Sequence, residues 1–153
     1  MFAYNGHMYG ILGNDLHLLF EGNKENPYCN LFNEPYPYSM TYKINKDPFV
    51  DKTWTNIEYR ADVFSSGNIG DKDSEIELDT FDKIEVWNEY QHGVSTKHPK
   101  CKFRVWRADI PRDTREGRGL NRIRNPWTML KLEKTNNTNK RMEFHDLIVK
   151  YLQ

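Results

Sequence analysis

Residues 57–63 read IEYRADV. Ile57, Tyr59, Ala61 and Val63 alternate with Glu58, Arg60 and Asp62, the period of a strand with one buried and one wet face. Working outward, the same alternation puts a strand at Met40, Tyr42 and Ile44, closed by Asn45-Lys46-Asp47-Pro48. Downstream, strands are expected over 81–90, 102–110, 127–134 and 140–151, with a TNNTN turn between the last two. Upstream, MFAYNGHMYGILGNDLHLLFEG (residues 1–22) breaks into short strands at Asn5-Gly6 and Gly13-Asn14-Asp15; Asn-Gly suits a two-residue turn whose positions both need positive φ. No segment carries apolar residues at i, i+3, i+4 and i+7 over three turns. The expectation is an all-β protein: an antiparallel β-sandwich of about six to eight strands over 38–153, preceded by a β-hairpin region and proline-rich loop over 1–37.

Composition agrees with a folded chain. Among 153 residues, 37% are hydrophobic and 21 are aromatic (4 Trp, 9 Tyr, 8 Phe), which suits half-buried strands despite a mean hydropathy of −0.88. No 18-residue apolar run is present, so no membrane span is expected, and the first residues lack a signal-peptide pattern. Cys29 and Cys101 show no metal-binding spacing; two free thiols or a single disulfide both fit. The net charge is zero, yet residues 1–80 hold six basic against thirteen acidic residues, and residues 81–153 sixteen against nine. Opposite halves of that kind suit head-to-tail packing of copies, unless folding interleaves them.

Chemistry-bearing clusters are few. Asp71, Asp73, Glu75, Glu77 and Asp79 place carboxylates at every second residue, as a solvated acidic edge does; a calcium loop would want glycine where Ile76 stands. The five histidines keep no ligand spacing, and no nucleophile-base motif or phosphate loop occurs. Neither catalytic residues, nor a metal, nor a cofactor is expected.

Two features point to contacts instead. Trp87 lies on the face opposite Ile84 and Val86, and Trp106 opposite Phe103 and Val105. If their strands are neighbours the two tryptophans pair, either under a covering loop or as an exposed aromatic patch. The loop from Pro111 carries Arg112, Arg115, Arg118, Arg122 and Arg124 against only Asp113 and Glu116, and its basic residues are all arginine. Arginine's planar fork suits carboxylate or phosphate and stacks on aromatics. Such a loop is a solvated surface, a nucleic-acid contact (which zero net charge argues against) or a subunit contact. A glycan platform built on Trp87, Asn88, Glu89, Tyr90 and Gln91 is the alternative from a different class.

The succession YKIN, TWTNIEYRADVF, FDKIEVWNEYQ, KFRVWRADIPRD, NRIRNPWTMLKL and EFHDLIVKYL, over residues 40–153, resembles the C-terminal region of the tail muzzle or stabilisation proteins of crAss-like bacteriophages. The resemblance rests on whole segments, above all WNEYQ, RDTR, RIRNPW and HDLIV, none of them catalytic. It implies a structural β-rich virion subunit at the phage tail, made in the bacterial host cytoplasm, multimeric and without enzymatic activity. Its partners would be other virion proteins or copies of itself. It also implies that the chain is a fragment whose hairpin start ends a larger β domain.

Overall fold

The computed structural model describes residues 1–19, 30–32, 34–65, 78–115, 121–135 and 140–153; these form fourteen strands and no helix. By packing, the chain makes two compact units: Met1–Tyr38 with Asp62–Asp79 and Thr135–Glu143, and Ser39–Ala61 with Thr80–Lys134 and Phe144–Gln153.

In the first unit, β1 (Phe2–Tyr4), β2 (His7–Leu12) and β3 (Asp15–Leu19) form an antiparallel meander. Asn5 and Gly6 take φ of 49° and 80°, so the first turn is of the kind the sequence announces. Gly10 leaves room for a ring: a Cβ there would stand 2.8 Å from Phe32, against which His17 packs edge-on. A short ribbon, β4 (Asn30–Leu31) with β5 (Glu34–Pro35), completes the small sheets.

The remaining strands, most of whose residues belong to the second unit, are β6 (Tyr38–Ile44), β7 (Lys52–Phe64), β8 (Lys83–Trp87), β9 (His92–Ser95), β10 (Lys100–Lys102), β11 (Val105–Asp109), β12 (Arg124–Asn125), β13 (Thr128–Lys134) and β14 (Arg141–Leu152). One sheet runs β6-β13-β8-β9. The other centres on β7, which pairs with β14 along one edge and with β12 and then β11 along the other, β10 lying outside β11. The inner face of β7 carries Trp54, then Ile57, Tyr59, Ala61 and Val63. Between Trp54 and Ile57 the alternation slips by one residue, as at a β-bulge, and there the partner strand changes from β12 to β11.

The two sheets meet through aromatic side chains. Tyr59 packs on Phe81 with ring centroids 5.4 Å apart, and Tyr42 of the facing sheet stacks on Phe144 at 6.1 Å. In the facing sheet Leu130 sits opposite Val86 and Leu132 opposite Ile84, all four fully buried. Each such side chain contributes roughly 1.5–3 kcal/mol by leaving water. The Tyr59 hydroxyl stays hydrogen-bonded inside, 2.9 Å from Thr80 Oγ1, and burial raises its pKa well above the ordinary phenol value. The architecture is thus all-β, with nine strands in these two sheets. Those beyond the expected six to eight include β10 and β12, three and two residues long, too short to show a period.

One expected strand is corrected. Residues 102–110 are a hairpin, not a single strand: Phe103 and Arg104 both take left-handed φ (54° and 60°), and the chain reverses there. Left-handed backbone is costly for residues with a Cβ, so neither side chain announces a turn. The reversal resets the faces. Phe103 stands at the hairpin tip, 87% exposed, while Trp106 points inward opposite Tyr59 and is 4% exposed.

Candidate functional site

Trp87 and Trp106 do not pair. They belong to different sheets: Trp106 is a core residue whose indole donates to Ala61 O at 3.1 Å, whereas Trp87 lies half-buried on the outer face of β8 beside Met129 and His92. The condition for pairing, neighbouring strands, is not met, because β8 and β11 belong to different sheets.

The arginine loop is anchored, and the anchor is its one described carboxylate. Asp113 is buried and closes the loop through its own N–H, which donates to Asn121 O at 2.8 Å. Its Oδ1 accepts from the His92 N–H (3.3 Å) and from the N–H and Nε of Arg115 (3.2 Å each). Burial works to raise this carboxyl's pKa, but the hydrogen bonds from Arg115 and His92 and the Arg115 charge outweigh it and hold it below the usual carboxylate range. Thr114 adds a backbone bond to His92 O at 2.8 Å. Gly93 on β9 lets the loop approach: a Cβ there would sit 2.5 Å from Arg112 O and 2.9 Å from Pro111 O.

Gln91 holds the far end of the loop. Its amide donates to Arg122 O at 2.9 Å and accepts from the Arg124 N–H at 2.6 Å. Asn88 shapes the turn before it, Oδ1 accepting from the N–H of Tyr90 and of Gln91 at 2.8 Å. Of the residues expected as a glycan platform, Asn88 and Gln91 therefore serve the fold, and Glu89 and Tyr90 are the exposed members.

A third loop joins through a lysine. Lys52, 0% exposed, donates its ammonium to Asp47 O (2.6 Å), Val50 O (3.0 Å) and Pro126 O (2.9 Å), while Trp54 and Tyr151 shelter it with their rings. These bonds fix a turn that carries Phe49, 98% exposed. Asp51, Glu89, Tyr90, Arg124, Asn125 and Pro126 line an open groove of about 620 Å³.

The described arginines thus divide. Arg115 is spent on Asp113, whereas Arg112, Arg122 and Arg124 project from the surface; Arg118 lies outside the described residues. Phe49 and the roles of Lys52, Gln91 and Asp113 escape a reading by periodicity, since loop packing leaves no period. Pro48-Phe49-Val50, an apolar pair inside a turn, is the signal that marks Phe49. Among the described residues no group of three or more His, Cys, Asp or Glu side chains could hold a metal ion, and no helix is long and apolar enough to cross a membrane. Cys101 is a half-buried free thiol; Cys29, like Asp71, Asp73, Glu75 and Glu77, lies outside the described residues.

Comparison with known proteins places this sandwich. The family described as the crassvirus muzzle protein C-terminal domain matches residues 26–113. The muzzle protein of Bacteroides phage crAss001 is 41% identical over 132 residues, an alignment covering 81% of this chain and 9% of that protein. The chain accordingly spans about a tenth of that relative's length.

Proposed function

Because the chain belongs to the crassvirus muzzle protein C-terminal domain family, we propose that it is a structural module of a phage virion, acting at the tail through protein–protein contacts. The observation that carries this reading is the family match over an all-β scaffold whose hydrogen-bonded loops present aromatic and arginine side chains. Phe49, Tyr90, Arg122 and Arg124 project from loops tied to one another by Lys52, Gln91 and Asp113. Aromatic residues and arginine dominate the energetic centres of interfaces, and loops fixed beforehand lose little entropy on docking. The neighbour is another virion protein or a further copy, and the work is assembly, not catalysis. The chain is made in the host cytoplasm and incorporated into the particle.

Immunogold labelling of purified particles with an antibody against this domain tests the reading. Gold at the tail is expected. Particles that contain the phage's other structural proteins but bind no antibody, intact or denatured, would overturn it.

A further inference from the structure

The three-stranded meander of β1, β2 and β3 has two unlike faces. Residues directly opposite each other across strands share a face, and so do alternate residues along a strand. Met8, Gly10 and Leu19 therefore lie on one side, and Phe2, Tyr4, Tyr9, Ile11, Leu16 and Leu18 on the other. The first side is covered: the Phe32 ring lies over Gly10, next to Leu19, which is 4% exposed. The second is open. Phe2 is 46% exposed, Tyr4 67%, and Ile11 and Leu16 61% each, while Tyr9 and Leu18 are half-buried.

The open face is ordered in rows. Phe2, Tyr9 and Leu18 stand side by side across the three strands, with the Phe2 and Tyr9 rings stacked at 5.5 Å. Ile11 and Leu16 form the next row, and Tyr4 flanks the other side, opposite His7. Together these side chains leave on the order of 600 Å² of apolar surface in water, the upper end of the largest patch on a typical monomer. Patches of that size mark contact surfaces.

Charge narrows what covers it. Residues 1–19 contain no lysine or arginine, and their one carboxylate, Asp15, pairs with Leu12 on the covered side. A membrane surface or a nucleic acid would call for basic residues around the patch, and an acidic partner for cations within it. The face fits an uncharged apolar surface of its own extent, and a second copy supplies one with no charge to repel it. Pairing two copies would bury on the order of 1,200 Å² in all, which reaches the range of specific interfaces. Two sheets stacked in this way lie about 10 Å apart, as the layers of a sandwich do. We propose that the face formed by Phe2, Tyr4, Tyr9, Ile11, Leu16 and Leu18 is a two-fold interface between copies of this chain. The inference rests on the reading of the chain as an assembly module, and it names the surface that joins the copies.

Light scattering on the full chain over a range of concentrations tests it. The wild type is expected at twice the 18.3 kDa chain mass, in about 0.1 M and about 1 M sodium chloride alike, since apolar contacts are not screened by salt. Ile11→Thr with Leu16→Thr keeps strand-forming residues on the face, so circular dichroism should not change, while the dimer dissociation constant rises at least about tenfold. Tyr4→Ser, on the other side of the same face, should weaken the dimer as well. A wild type that stays monomeric overturns the proposal, as does a Thr variant that dimerises like the wild type or a dimer that high salt dissolves. So does a monomer that floats with phosphatidylcholine vesicles, which would give the face to lipid. Gold at the tail of particles together with a monomeric chain overturns this inference alone; a dimer together with unlabelled particles overturns only the virion reading.

Discussion

The ammonium of Lys52 reaches the carbonyl oxygen of Pro126 at 2.9 Å, although the two residues lie 74 positions apart. The same ammonium serves Asp47 O and Val50 O, so one buried side chain holds the turn bearing Phe49 against the strand entrance after the arginine loop. Lys52→Met keeps the stem and removes the donor. Val50 O and Pro126 O then lose this donor while Asp47 O keeps the Val50 N–H, and a loss of about 2 kcal/mol is expected in urea denaturation, since a stranded acceptor costs roughly 1–3 kcal/mol when fully buried and less where water reaches it. A loss below about 0.5 kcal/mol would show that water replaces the ammonium at no cost.

Gly93 is the seat of the arginine loop. Gly93→Ala drives a methyl to 2.5 Å from Arg112 O, a backbone atom that cannot swing aside. The loop must lift, breaking the Thr114–His92 and Asp113–Asn121 bonds. The expected cost is about 2–3 kcal/mol, with new trypsin cleavage after Arg112 or Arg115 in the native protein. Unchanged melting and no cleavage would mean the loop is not seated on β9.

The arginines should separate by role. Asp113→Ala strands the His92 N–H and the Arg115 guanidinium, and about 2–3 kcal/mol is expected to be lost. Arg122→Ser with Arg124→Ser removes exposed charges and should change stability by less than about 0.5 kcal/mol while weakening assembly. Thermal melts of both variants beside the wild type check the contrast. Equal melting points for all three would contradict it.

Acid should act through the same carboxylates. Asp113, Glu58, Glu133 and Asp146 all titrate below their ordinary values, each held by neighbouring cations or N–H groups. Groups with depressed values stabilise the fold above the unfolded carboxylate range, near pH 4, and that stability is lost as pH falls through their lower folded values. Melting temperature is therefore expected to hold from neutral pH down to about 5 and to drop below about 4. Asp113→Asn should flatten the drop; an acid profile identical to the wild type's would remove Asp113 from the account.

Much of the fold was legible because burial leaves a period of two. β6, β7, β8 and β13 stand where the alternation of Met40, Ile57, Ile84 and their neighbours puts them. The hairpin at Phe103-Arg104 was not legible, since two bulky residues in left-handed backbone carry no turn signature. The loop arginines were visible as a cluster. Their division was not, because it depends on Asp113 and on Gln91, whose partner bonds span 31 and 33 positions.

That hairpin is itself testable. Phe103→Asn with Arg104→Gly supplies residues that accept left-handed backbone, and stability should rise by about 1–2 kcal/mol. A fall would mean the exposed ring packs on the molecule instead of waiting for a partner.

The central claim is that this domain is a virion building block working through its pinned loops. Quantitative mass spectrometry of purified particles tests it most directly, comparing the wild type with Phe49→Ser, Tyr90→Ser and Arg124→Ser combined. The account predicts a fixed number of copies per particle for the wild type and loss of most of them for the variant. Variant copies at wild-type number, in a protein that melts like the wild type, would contradict it.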